Sequence, residues 1–313
     1  MTNNKKTSEI KQFIALLPFF IFAAVATWLV SDHIFFWDTV QLGAQHATFF
    51  YENNFSGILL PDNFDSGHIP AFGIYIAFCW KLFGRSLLVS HFAMLPFIFG
   101  IIWQSHLLLK KFINPKYIYF ALTLFLLDPT LLGQAVLVSP DVVLVFLFLL
   151  ALNAVLQQKK VLTSIAVAGL ALVSMRGMMA AFAILVLDLL FSLKIKTVKS
   201  TILQLLQKAV IYSPVLILFL SFNLYHYYKK GWIGYHEESP WAECFQLVDF
   251  KGLLYNIGIL GWRILDFGRV FLWITFFVIG IFYFKRIKND ASARKLLLIF
   301  IVTLATLSVI FLL

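Results

Sequence analysis

Residues 69–84 read IPAFGIYIAFCWKLFG, and the topology of the chain turns on whether this stretch crosses a bilayer. Its 16 residues rise about 24 Å as a helix, whereas roughly 30 Å of hydrocarbon takes about 20 apolar residues. The other apolar runs, 13–31, 87–109, 117–134, 141–157, 161–175, 177–193, 209–227, 267–284 and 296–313, are candidate spans. If 69–84 does not span, the loops 110–116, 158–160, 194–208 and 285–295 share the side of the N-terminus. Those loops hold fourteen basic residues, from Lys110, Lys111 and Lys116 through Lys208 to Arg294 and Lys295. With Lys5, Lys6 and Lys11 this side carries seventeen of the 25 in the chain. Asp32, Asp38, Glu52, Asp62, Asp65, Glu237, Glu238, Glu243, Asp249 and Asp266 fall on the other side. A spanning 69–84 would put the later basic clusters outside, against the tendency of Lys and Arg to stay cytoplasmic. The stretch is therefore expected to lie in or against the outer interface, which suits its Phe, Tyr and Trp content.

Composition supports lipid as the solvent. The 313 residues are 61% apolar and only 13% charged, against roughly 25% charged in soluble domains. Helices that satisfy their own backbone groups can face hydrocarbon directly. The net charge of +10 is read as the basic bias of cytoplasmic loops rather than as a nucleic-acid footprint, so no nucleic-acid partner is expected. The apolar run after Lys11 resembles a signal peptide without a convincing cleavage site, and reads as an uncleaved first span with a cytoplasmic N-terminus. Cys79 and Cys244 both fall outside; one bridge between them is conceivable, a disulfide framework is not. The chain ends at Leu313 with no polar flank, as a short protein or a piece of a longer one would. The expected fold is an all-α, polytopic bundle of about nine transmembrane spans, one domain over 1–313. Interfacial helices lie in a first external loop (32–86), and a second external loop covers 228–266.

Six polar positions in or near the apolar runs, and the second loop, require explanation. Asp38 follows the aromatic cluster Phe35-Phe36-Trp37 just outside the first span, with Asp65 and His68 later in the same loop. A carboxylate held at the membrane surface can act as a base on a substrate presented there; it can equally cap an interfacial helix. Asp128-Pro129 and Ser139-Pro140-Asp141 bracket the turn between the third and fourth spans. Asp141 either lines a cavity or simply opens a helix behind Pro140. Asp128 lies deeper and should face a cavity or a partner, because a charge at mid-membrane costs about 2.5–3.5 kcal/mol on insertion scales. Arg176, with Gly177 at the external tip of the fifth and sixth spans, suits bidentate pairing with a lipid phosphate. It could also snorkel to headgroups or pair with Asp141. In the second loop, His236, Glu237 and Glu238 offer donors for a divalent ion, and Trp241 beside carboxylates suits a sugar or an interfacial belt.

The first loop resembles that of the GT-C membrane glycosyltransferases, above all the protein O-mannosyltransferases (glycosyltransferase family 39) and the lipid A aminoarabinose transferases. Those families carry a pattern like F-D-E-x-H-F-G after the first span; here the run is Phe36-Trp37-Asp38-Thr39-Val40-Gln41-Leu42-Gly43. They follow it with H-P-P-L or K-P-P-L leading into an apolar interfacial helix that ends in F-G. Here His68-Ile69-Pro70-Ala71 leads to Leu82-Phe83-Gly84. Thr39 replaces a second acid, and the box is His-Ile-Pro. The likeness covers roughly residues 10–200.

The resemblance implies a glycosyltransferase of the cell membrane with its active site on the external face. Its donor would be a polyprenyl-phosphate-linked sugar and its acceptor a protein, glycan or lipid. It implies Asp38 as base, with Asp65, His68, Asp128, Asp141 and Arg176 as substrate-binding residues, Arg176 on the phosphate. Such a donor needs no nucleotide site, and no Gly-rich phosphate loop is present; no cofactor is assigned, and a divalent metal is left open. The alternative from another class is a transporter or flippase of a lipid-linked intermediate, although neither repeated halves nor broken helices are visible in the sequence. A third is a non-catalytic membrane scaffold.

Overall fold

The computed structural model describes residues 2–63, 65–194, 197–236, 247–266 and 268–312, and among them every regular element is helical. The helices are α1 (Thr2–Leu29), α2 (His46–Glu52), α3 (Ala71–Phe83), α4 (Leu87–Phe92), α5 (Leu95–Phe112), α6 (Ile118–Leu126) and α7 (Pro129–Ala135). There follow α8 (Pro140–Leu156), α9 (Lys160–Val173), α10 (Met175–Ser192), α11 (Val198–Lys230), α12 (Phe250–Leu265), α13 (Arg269–Asn289) and α14 (Ala291–Leu312). Five stretches are long and apolar enough to cross a membrane: Ile10–Leu29, Leu87–Phe112, Met175–Ser192, Val198–Lys230 and Ala291–Val309. Counting each of two bent helix pairs as one span brings the number to seven. The chain is thus an all-helical, membrane-embedded protein. The expected count of nine additionally needs α8 and α9, of 17 and 14 residues. The outward faces fit lipid: Phe271 is 72% and Phe282 80% exposed, on a scale a water-soluble monomer does not tolerate.

The chain divides into two units, Met1–Asp65 with Pro70–Leu150, and Ser66–Ile69 with Ala151–Leu313. In the first, α1 packs on α5, α5 on α6, and α2 on α3. The α2–α3 contact is close because Gly73 has no side chain; a Cβ there would run into the Cβ of His46. Trp80 donates from Nε1 to Ser90 Oγ (2.8 Å) and Tyr75 from its hydroxyl to Ala93 O (2.7 Å), which fixes α3 to α4 and the turn after it. At 13 residues, α3 rises only about 20 Å. It buries Phe72, Ile76 and Trp80 and exposes Phe78, Leu82 and Phe83, with Lys81 in its last turn. Cys79 is buried in α3 with a free thiol, and burial pushes that thiol up, which keeps it neutral. Its suggested partner Cys244 lies outside the described residues.

The stretch expected as a single span over 117–134 is broken. Asp128 accepts from Thr130 N and Leu131 N, both at 3.0 Å, and Pro129 follows as the first residue of α7. This is an N-cap with proline at N1, and it turns α7 by 65° from the helix ending at Leu126.

In the second unit α9 packs against α10 and α11, and α14 against α10. Buried Ala166, Val167, Leu170 and Ala171 recur at the three- and four-residue spacing of one helix face. The loop expected over 194–208 is already helical from Val198, where Thr197 and Ser200 form a reciprocal capping box. α11 then runs 33 residues, about 50 Å. Within the expected second loop, 250–265 is helical, capped by Asp249 accepting from Gly252 N at 2.7 Å.

Candidate functional site

In the first unit, Asp38 opens a helical run that continues to Glu52. Ahead of it, Thr39 Oγ1 accepts from Phe36 N (2.8 Å) and donates to Phe36 O (2.7 Å), closing a turn in which Trp37 takes φ +53°. A positive φ on a bulky residue is a strained backbone, and here it precedes the partly buried carboxylate directly. Thr39, which stands where the resembled families carry a second acid, is a buried structural hydroxyl. Residues Val40–Gln45 then wind as a π-helix, a rare form that concentrates at functional sites. Gly43 in this segment lies against the Phe35 ring and near Val138 O. That contact brings the segment after Asp38 to the turn that carries Ser139 and Asp141.

Between α2, α3 and the turn after α3, cations and aromatic rings form a common surface. Arg85 pairs with Glu52 (2.9 Å), donates to Thr48 and lies over the Trp80 ring, while Lys81 sits 4.4 Å from the Tyr51 ring centroid and donates to Asn54. His91 donates from Nε2 to His33 O (2.9 Å), so its proton is on Nε2. The bond ties α4 to the segment between α1 and Asp38.

The remaining acids of this unit differ in role. Asp65 is 5% exposed. Asp128 spends one carboxylate oxygen on capping α7, as described. Asp141 sits in the first turn of α8, where a negative charge favours the helix N-terminus; its backbone N–H donates to Ser139 Oγ, which donates to Gln134. The helix-opening reading of Pro140-Asp141 therefore describes its backbone.

In the second unit three separate stretches of sequence meet. Gly67 takes φ +68°, and a Cβ there would collide with the Gly234 carbonyl. Gly234 in turn lies near the Met175 side chain. The segment carrying His68, the start of the second loop and the α9–α10 break are thus side by side. The break falls at Ser174 (φ −171°, ψ 171°), so Arg176 lies in the first turn of α10 and not in the connecting turn. Ser174 is 7% exposed, and its hydroxyl has no hydrogen-bond partner. From the second loop, Trp232 packs edge-on to His226 (4.3 Å between centroids) and contacts His236 (5.7 Å). The Trp232 carbonyl accepts from His226 Nδ1 at 3.0 Å, and Lys230 lies over the Trp232 ring. Ser174 and Arg176 thus bracket the start of α10, and a helix N-terminus favours negative charge.

Gly67→Ala should therefore lower stability by about 1–3 kcal/mol, the cost of a strained φ, or eject the segment carrying His68. Thermal unfolding in detergent together with proteolysis within 66–69 checks this; an unchanged profile in both would show that the Gly67–Gly234 approach is not essential.

Sequence reasoning missed Asp188. It lies inside the apolar run of α10, 3% exposed, and pairs with Lys208 at 2.7 Å, with Tyr212 donating to its other oxygen at 3.3 Å. Among the described residues no three His, Cys, Asp or Glu side chains are placed to hold a metal ion. The Glu237 and Glu238 suggested beside His236, and Trp241, fall outside those residues. Comparisons with protein-family models, with curated proteins and with solved structures gave no match.

Proposed function

We propose that the chain is a membrane glycosyltransferase with nine spans and a GT-C-like plan, transferring a sugar from a polyprenyl phosphate to an acceptor hydroxyl or amine. The acceptor heteroatom attacks the anomeric carbon as the bond to the phosphate oxygen breaks, with inversion. Asp38 takes the acceptor proton, and the electron pair leaves on the polyprenyl phosphate. Arg176 and the α10 N-terminus hold that phosphate, and His68 assists. The reading is carried by the start of α10, where Ser174, a buried hydroxyl without a hydrogen-bond partner, precedes Arg176 in the helix's first turn. The strained turn and π-segment at Asp38 support a reactive rather than a capping carboxylate.

A lipid-linked-intermediate transporter is the second reading, and the broken helix at Asp128 favours it. Discontinuous helices are a transporter device, and the sequence had shown none. Purified protein reconstituted with radiolabelled polyprenyl-phosphate hexose separates the two. Transfer removes the sugar from the lipid and releases polyprenyl phosphate; transport moves the lipid-linked sugar across the bilayer unaltered. Under the first outcome, Arg176→Gln should raise the donor concentration for half-maximal rate roughly 10–100-fold, the value of a hydrogen bond to a charged group. An unchanged donor dependence would remove Arg176 from phosphate binding.

A further inference from the structure

At the end of α1 remote from Asp38 the first unit carries a second lipid-facing feature. α1 and α5 leave a groove of about 630 Å³ between them, lined only by apolar side chains, among them Leu17, Ile21, Ala24, Phe99 and Trp103. That volume is within the range of single-ligand sites. On α5 the lining residues Phe99 and Trp103 continue into His106 and Lys110 at spacings of four, three and four, which is one helix face. Lys110 donates to Gln12 Oε1 across the α1–α5 seam at 2.8 Å, and exposed Lys11 precedes Gln12. Between the groove and Lys110 lies His106, 2% exposed, its ring stacked on Tyr119 and both nitrogens without a hydrogen-bond partner. Along this face α5 thus changes from apolar residues that line the groove, through a buried imidazole packed on α6, to the exposed cation Lys110.

We propose that this groove is a binding site for one membrane phospholipid with an anionic headgroup. An acyl chain lies along Ile21, Ala24 and Phe99, and the phosphate sits against Lys110 and Lys11. The charge gradient selects the occupant: a zwitterionic lipid would place its ammonium group beside the same lysines. The site is not that of the proposed donor. α1 covers about 30 Å between Ile10 and Leu29, and Asp38 follows its far end, so a phosphate at Lys110 lies across the bilayer thickness from Asp38. The inference stands whether or not the chain transfers sugar.

The test is lipid retention by the full-length protein, read by native mass spectrometry after exchange into equimolar phosphatidylglycerol and phosphatidylethanolamine. One retained phosphatidylglycerol is expected, favoured on the order of twenty-fivefold from two lysines at roughly fivefold each. Lys110→Gln should lower that preference about fivefold, and Ile21→Trp, which fills the groove from its lipid side, should abolish retention. Ala24→Phe serves as the second groove-filling variant if Ile21→Trp does not fold. Equal retention of the two lipids would overturn the proposal, as would retention that survives a groove-filling variant. Displacement of the phospholipid by equimolar polyprenyl phosphate would also overturn it, by making the groove a donor site.

Discussion

Asp38→Asn, purified and folded like the wild type, is expected to lose sugar transfer by roughly 10²–10⁴-fold, the range of a general base. Asparagine keeps the shape and the capping capacity of the residue but cannot take up the acceptor proton. The substitution therefore separates the two readings that the sequence left open, a base and a helix cap. The strained Trp37 and the Thr39–Phe36 bonds are made by neighbours, so the local turn should survive. The loss should fall on the rate at saturating donor, with donor affinity unchanged, because the phosphate is assigned to Arg176. Transfer by Asp38→Asn at the wild-type rate would remove Asp38 from the chemistry and leave it a structural cap.

The second large effect is one of stability. Asp188→Ala strands the ammonium of Lys208, whose side chain is only 13% exposed. Breaking a buried pair from one side costs about 3–5 kcal/mol, on the order of the whole folding stability of a modest domain. The double variant Asp188→Met with Lys208→Met removes both charges and keeps most of the volume. It should recover most of the loss, since well-packed apolar replacements of buried pairs are often neutral or better. Unfolding in a denaturing detergent mixture, followed for wild type, single and double variants, measures both. If the single variant is as stable as the wild type, the pair does not hold α10 to α11.

What the sequence disclosed follows from which signals are local. That 69–84 is too short for a full span is legible from its length and the distribution of lysines; α3 is shorter still, 13 residues against the 16 of the stretch. Asp128 was seen as a costly charge in need of a partner, but the run 117–134 was counted as one span. The signal for the break was the Asp-Pro pair itself, an N-cap followed by proline at N1. α12 lies within the expected second loop, although Asp249 ahead of an apolar pattern in 250–265 is a helix start. Asp188 went unnoticed because a single acid barely lowers the hydropathy of an apolar run. Its partner Lys208 falls in the expected loop 194–208, most of which forms the first turns of α11. The π-helix after Asp38 and the Gly67–Gly234 approach depend on residues remote in sequence, and no local pattern announces them.

The Asp188–Lys208 pair also bears on how the chain is made. The two residues are 20 positions apart, and translation at roughly 5–20 residues per second delivers the aspartate one to four seconds before its lysine. During that interval α10 must enter the bilayer with an uncompensated acid near its end. The nascent helix should therefore linger at the insertion machinery, or slide toward the surface, until α11 emerges to neutralise it. The ion pair that locks the finished protein would then also time its assembly, releasing α10 and α11 into lipid as a pair.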